Sequence, residues 1–168
     1  LASQLAKGNI PALAKNADVF YHIYTDKESR EYFEPKLLEL SKHVKVQFYY
    51  FDEIPFGSGS LEQAMLNSDV TTIKHNVQRI TANLMLSGLK DSAAVLLDSD
   101  FIIADGSLDR MHRLRKKGKR AVMTSLLRLN EAKTSDVLYK NFAFYLEARN
   151  LVKLCIKYMH PIFAEYFM

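Results

Sequence analysis

Two carboxylates, Asp98 and Asp100, stand two residues apart directly after the apolar run Ala93-Ala94-Val95-Leu96-Leu97, and Phe101-Ile102-Ile103 follows them. Holding one ionised carboxylate near another in apolar surroundings is costly unless a cation neutralises both. Oxygen ligands of this kind suit Mg²⁺ or Mn²⁺, which keep coordination positions open for substrate phosphates. The plainer alternative is a strand-end turn with solvated aspartates. The apolar segments on both sides weigh for the metal.

An ordered series of elements must position that pair. Residues 1–14 read as the end of a helix, with Gly8-Asn9 as its stop and Pro11 beyond. Residues 19–24 are β-branched and aromatic and predict a buried strand. Thr25-Asp26 then caps a helix to about residue 42, with a break or kinked start at Pro35. A second strand is expected over 44–50 and a loop over 52–69, where Gly57-Ser58-Gly59-Ser60 gives the chain freedom. Ser68 or Asp69 caps the next helix, in which Ile73, Val77, Ile80 and Leu84 share one face, and Gly88 ends it. Residues 93–97 predict a strand covered on both faces. Ser107 opens a short basic helix that Gly118 stops, 120–127 reads as another strand, and 135–159 is helical up to His160-Pro161. Strands alternating with helices predict an α/β fold with a mainly parallel sheet flanked by helices, in a single domain over residues 1–168. Ligands of such sheets bind beyond the carboxyl ends of the strands, which singles out Thr25-Asp26, Asp52-Glu53 and Asp98-Ser99-Asp100. Asp26 and Asp52 can contact a nucleotide there, or simply cap a helix and meet solvent.

The segment Leu96-Leu97-Asp98-Ser99-Asp100-Phe101-Ile102-Ile103-Ala104-Asp105-Gly106-Ser107-Leu108 resembles the strand, D-x-D motif and following turn of family 8 glycosyltransferases. That group includes glycogenin and the bacterial lipopolysaccharide glucosyl- and galactosyltransferases. Phe20-Tyr21-His22-Ile23-Tyr24-Thr25-Asp26 and residues 44–51 are similar to the family's second and third strands, and the helix with Arg79-Ile80 resembles its arginine-bearing helix. The likeness covers about residues 1–125. It implies a nucleotide-diphospho-sugar transferase-like fold and a metal-dependent, retaining transfer of a hexose from a UDP-sugar to a glycan, lipid or protein acceptor. It makes Asp98 and Asp100 ligands of Mn²⁺ or Mg²⁺, and it implies substrate contacts from Arg79, Asp26, Ser99 and Asn141. Asn141-Phe142-Ala143 stands where the family has Asn-x-Gly, with Ala143 replacing glycine. His160, the last histidine, falls early for the family's third metal ligand. The family's first strand would precede Leu1, so the resemblance makes this a truncated domain that lacks that strand and its C-terminal part.

The composition supports a globular chain of 168 residues: 48% hydrophobic, 25% charged, six Gly and four Pro. The net charge of +4 and pI of about 9.1 fit an anionic substrate, and fall short of a dedicated nucleic-acid binder. Arg110, Arg113, Arg115, Lys116, Lys117, Lys119 and Arg120 form a basic run that reads as a solvated helix face, with contact to a nucleic acid or to membrane headgroups as the alternative. Cys155, the lone cysteine, sits in an apolar run and reads as a packing residue. His22 and His75 read as structural. No Gly-rich phosphate loop occurs, and no run reaches the roughly 18 apolar residues of a membrane span. The N-terminus has no signal-peptide pattern and no initiator Met. A cytoplasmic or membrane-peripheral setting is therefore expected. Two further readings stay open. One is a phosphatase of the haloacid dehalogenase type, with Asp98 as nucleophile and Asp100 as acid/base. The other is a non-catalytic interaction module with a degenerate transferase fold.

Overall fold

The computed structural model describes residues 1–67, 69–87, 92–98, 100–123, 126–140 and 146–167. The fold is α/β, about half helical, with one small parallel sheet. The chain forms two compact units. One joins Leu1–Val19 to Ile102–Met168; the other is Phe20–Phe101.

In the first unit the N-terminal residues are not the end of one helix. A 3-10 turn over Ala2–Leu5 is followed by a short helix α1, Ile10–Leu13, with Pro11 in its first turn. Gly8-Asn9 thus opens a helix, because proline fits where the N–H groups have no intrahelical partner. Asn9 is fully buried. Its Nδ2 donates to the carbonyls of Ser3 (2.8 Å) and Ala104 (3.0 Å), and its Oδ1 accepts from the Leu108 N–H (3.0 Å). That last bond caps helix α5, Ser107–Lys116, whose own N-cap residue is Gly106 at φ +84° and has no side chain to offer. A helix's first N–H groups need such a partner, and here it comes from about 100 residues away. The Gly8 N–H donates to Asp105 Oδ1 at 2.6 Å, and a Cβ on Gly8 would lie 2.8 Å from the Gly106 nitrogen. Ser3 Oγ accepts from the Ile103 N–H at 3.2 Å. Leu5, Ala6, Ile10 and Leu108 bury the apolar side of this junction, and α1 packs on α5.

Helices α6 (Glu131–Lys140), α7 (Ala148–Lys157) and α8 (Pro161–Phe167) complete this unit. Thr134, Leu138 and Cys155 are buried in it, so Cys155 packs as its apolar surroundings suggest. Over 120–127, where a strand is expected, the described residues carry no sheet pairing, and Met123 is 95% exposed. Local pairing occurs instead at Leu129–Met159, flanked by bonds from Asn130 N–H to Tyr158 O and from His160 N–H to Arg128 O, both 2.8 Å.

In the second unit, β1 (Phe20–Thr25) and β2 (Lys45–Tyr50) pair in parallel, Phe20 opposite Lys45 and Thr25 opposite Tyr50. Between them lie a 3-10 segment, Glu28–Tyr32, and helix α2, Glu34–Leu40, with Pro35 in its first turn. The break expected at Pro35 therefore separates two helical pieces. The span 52–69 is more ordered than a loop. It holds a hairpin of β3 (Pro55–Phe56) and β4 (Gly59–Ser60), then helix α3, Leu61–Leu66. Ser60 and Gln63 cap α3 reciprocally in a capping box. Helix α4, Val70–Ser87, follows as its periodicity predicts. The expected caps Ser68 and Gly88 lie outside the described residues. Ile23, Leu40, Val44, Ile54 and Leu61 form the buried core.

Residues 92–98 are not a strand, and Val95 and Leu96 are 40% and 54% exposed. An apolar run becomes a central strand only when neighbours on both sides supply ladder bonds. Among the described residues β1 and β2 pair with each other and no third strand joins them.

Replacing Asn9 with Ala strands the buried Leu108 N–H, at a cost of about 1–3 kcal/mol, and takes one of two partners from each of the Ser3 and Ala104 carbonyls, which keep the Ala6 and Ser107 N–H groups. We expect Asn9→Ala to lower unfolding stability by roughly 2–4 kcal/mol, measured as a shift of the urea midpoint. A loss under about 0.5 kcal/mol, the range of surface substitutions, would show that this amide does not hold the junction.

Candidate functional site

Asp98 is half-buried, and its Oδ1 accepts a hydrogen bond from Gln78 Nε2 at 2.8 Å. Asp100 is exposed, and the Phe101 N–H closes a tight turn onto the Asp98 carbonyl at 3.2 Å. Gln78 lies on α4 one residue before Arg79, which is itself exposed. Successive helical residues diverge by about 100°, so Gln78 engages Asp98 while Arg79 extends on a neighbouring face. The structure thereby ties the arginine-bearing helix to the acidic segment through a residue, Gln78, that no sequence pattern singles out. A neutral donor facing an aspartate across 20 residues has no periodic signature. Ser99 and Asn141, both expected at this site, lie outside the described residues, as does the Asn141-Phe142-Ala143 segment.

Among the described residues, no three His, Cys, Asp or Glu side chains cluster as a metal-holding group. The Nδ1 of His160 accepts from the Ile162 N–H at 3.3 Å at the start of α8. Asp98 and Asp100 could supply carboxylate oxygens to Mg²⁺ or Mn²⁺, whose remaining coordination positions other oxygen donors would have to fill.

A second polar constellation occupies the carboxyl edge of the parallel pair. Thr25 opposite Tyr50 puts residues 26–27 beside 51–53. Lys27 Nζ pairs with Asp52 at 2.6 Å and Glu53 at 3.0 Å, and lies 5.7 Å from the Tyr50 ring centre. These carboxylates, Asp52 first, push the Lys27 ammonium above its ordinary pKa. Arg30 donates to the Tyr50 hydroxyl at 2.8 Å and stands 5.0 Å from the Phe48 ring centre. Asp26 is committed to a cap: it accepts from the Ser29 N–H at 2.6 Å and the Ser29 hydroxyl at 2.8 Å. Asp52 and Glu53 also line an open depression of about 560 Å³ with Ser58, Ser60, Glu62 and Gln63. This edge is a brace between β1 and β2 in which one ammonium bridges two carboxylates.

His22 stacks on Tyr49, ring centres 5.3 Å apart, and Tyr49 stacks on Tyr24 at 4.8 Å. Burial lowers the His22 pKa, in line with a packing role. His75 is exposed on α4. Burial pushes the Cys155 thiol up, away from a reactive thiolate.

The Ser29 backbone N–H, then its hydroxyl, holds the Asp26 carboxyl below the ordinary aspartate range. A carboxyl depressed in the fold contributes stability above its unfolded pKa and loses it as pH falls through the folded value. We expect Asp26→Ala to reduce the steepness of acid destabilisation below about pH 4, the aspartate range, in melts taken from about pH 6 downward. An identical acid limb in wild type and variant would show that Asp26 contributes nothing to it.

No family model, no curated protein and no solved structure matches the chain.

Proposed function

We propose that this chain is a metal-dependent transferase domain of the retaining nucleotide-sugar type. In this reading it binds a UDP-sugar through Asp98 and Asp100 and passes the hexose to a glycan, lipid or protein acceptor. The observation that carries the reading is the Gln78–Asp98 hydrogen bond. It links α4, with Arg79, to the D-x-D segment, the two parts that the family resemblance requires side by side. The nucleotide-sugar transferase-like fold is part of the same proposal. The parallel β1–β2 pair, in the order expected of the second and third strands, supports it.

Each residue then has a distinct role. Asp98, held by Gln78, presents its second oxygen from a half-buried position. Asp100 is exposed and can approach a ligand from solvent. When bound, a divalent cation would neutralise both carboxylates and the charge growing on the departing nucleoside diphosphate. Arg79, on the exposed side of α4, can meet a donor phosphate or hydroxyl. Ser99 and Asn141 complete the proposed contacts to donor.

A ligand at about 100 times its Kd stabilises by about 2.7 kcal/mol, about 5–10 °C in Tm for a chain of this length. We expect Mn²⁺ with UDP to produce such a shift in wild type and none in Asp98→Asn or Asp100→Asn. Without ligand, both variants should melt at or slightly above wild type. The amide introduced by Asp98→Asn keeps a carbonyl acceptor for Gln78, and either substitution removes one of two like charges. Thermal melts of the three proteins, with and without Mn²⁺ and UDP, decide this. An indifferent wild type with destabilised variants would make the two aspartates structural caps and defeat the metal-site reading.

A further inference from the structure

We infer that helix α5 and the segment after it form a docking surface for an anionic lipid bilayer. This inference is independent of the proposed transfer reaction. Seven of the chain's 23 cationic side chains, but only one of its 19 carboxylates, fall within residues 107–120. That stretch carries +6, against +4 for the whole chain, so all of the protein's excess positive charge is gathered on it. The single carboxylate, Asp109, pairs with Arg113 at 2.9 Å. Arg110, Arg113, Arg115 and Lys116 are exposed on α5, whose buried residue is Leu108. Lys117, Lys119 and Arg120 continue the exposed charge through a turn at Gly118, φ +82°.

The charge alone would suit any polyanion. The next residues choose among them. Val122, Met123 and Leu126 are exposed directly beyond the basic run, Met123 at 95% and Leu126 at 55%. Exposed aliphatic side chains beside a cationic stretch match the interface of an anionic membrane, where cations meet headgroups and apolar groups enter the acyl boundary. A single-stranded nucleic acid would instead use aromatic platforms. Residues 107–123 contain no Phe, Tyr or Trp. Both halves of the surface belong to one compact unit.

Sedimentation with sucrose-loaded vesicles tests this, using phosphatidylcholine alone or with about one lipid in three replaced by phosphatidylserine, at low and raised salt. We expect wild type to bind the phosphatidylserine vesicles at least about tenfold more tightly than the neutral ones, and raised salt to weaken the binding. The triple variant K116E/K117E/K119E, which brings the stretch from +6 to zero, should lose it. Met123→Asn leaves the charge unchanged and should weaken binding by about threefold or more. All substituted positions are exposed, and unchanged far-UV circular dichroism will verify that both variants fold. Equal sedimentation with neutral vesicles overturns the inference. So does full binding by Met123→Asn, or displacement of the protein from vesicles by an equal phosphate concentration of RNA or duplex DNA.

Discussion

The side-chain amide of Asn9 is the interaction that fastens the first compact unit. A buried primary amide has two N–H donors and a carbonyl acceptor, and each must be matched in an environment without water. Asn9 matches them with two backbone carbonyls and one backbone N–H, from Ser3, Ala104 and Leu108. Two of those partners lie about 95 residues or more along the chain, so one side chain joins the N-terminal segment to the strip that starts α5. The Gly8–Asp105 bond beside it works only because glycine permits backbone to approach backbone so closely. Everything from Phe20 to Phe101 is an excursion between the two sides of this junction, and it builds a unit of its own.

That second unit rests on a different balance. A two-stranded parallel pair is a small sheet, and apolar burial on it is limited to residues such as Ile23 and Val44 beside it. Aromatic rings and cations supplement that burial. His22, Tyr24 and Tyr49 stack on one another, and Phe33, Phe48 and Tyr50 form a second ring cluster, with Arg30 and Lys27 drawn over its rings. At the carboxyl edge, Lys27 bridges Asp52 and Glu53. These ion pairs are exposed, so solvent screens them, and their main effect is to fix how the two strand ends lie beside each other.

The acidic segment differs in kind from both. Asp98 and Asp100 combine one half-buried, hydrogen-bonded carboxylate with one exposed carboxylate, and the residues leading into them include exposed apolar side chains rather than a covered strand. Exposed Val95 and Leu96 next to a pair of carboxylates leave a polar ligand group at the border of an apolar surface.

Elements with local signals were legible along the chain. The β-branched and aromatic run 19–24 and the strand at 44–50 form β1 and β2, and the i, i+4, i+7 spacing from Ile73 to Leu84 forms α4. Pro35 and Gly118 divide or end helices through their own backbone restrictions. The apolar setting of Cys155 likewise predicted its burial. Features that need a distant partner emerged only with packing. Residues 93–97 and 120–127 have strand-like composition, yet a strand exists only where another strand offers its carbonyls and N–H groups, and composition does not reveal that offer. Gly8-Asn9 looks like a helix stop until Leu108 is placed within reach of Asn9, after which it is a cap for α5. Asp26 and Asp52 share the edge expected from a parallel sheet, where Ser29 bonds both oxygens of Asp26 and Lys27 pairs with one oxygen of Asp52. Gln78 became the partner of Asp98 because the fold brings α4 back onto the acidic segment, a proximity set by packing over 20 residues rather than by any local spacing.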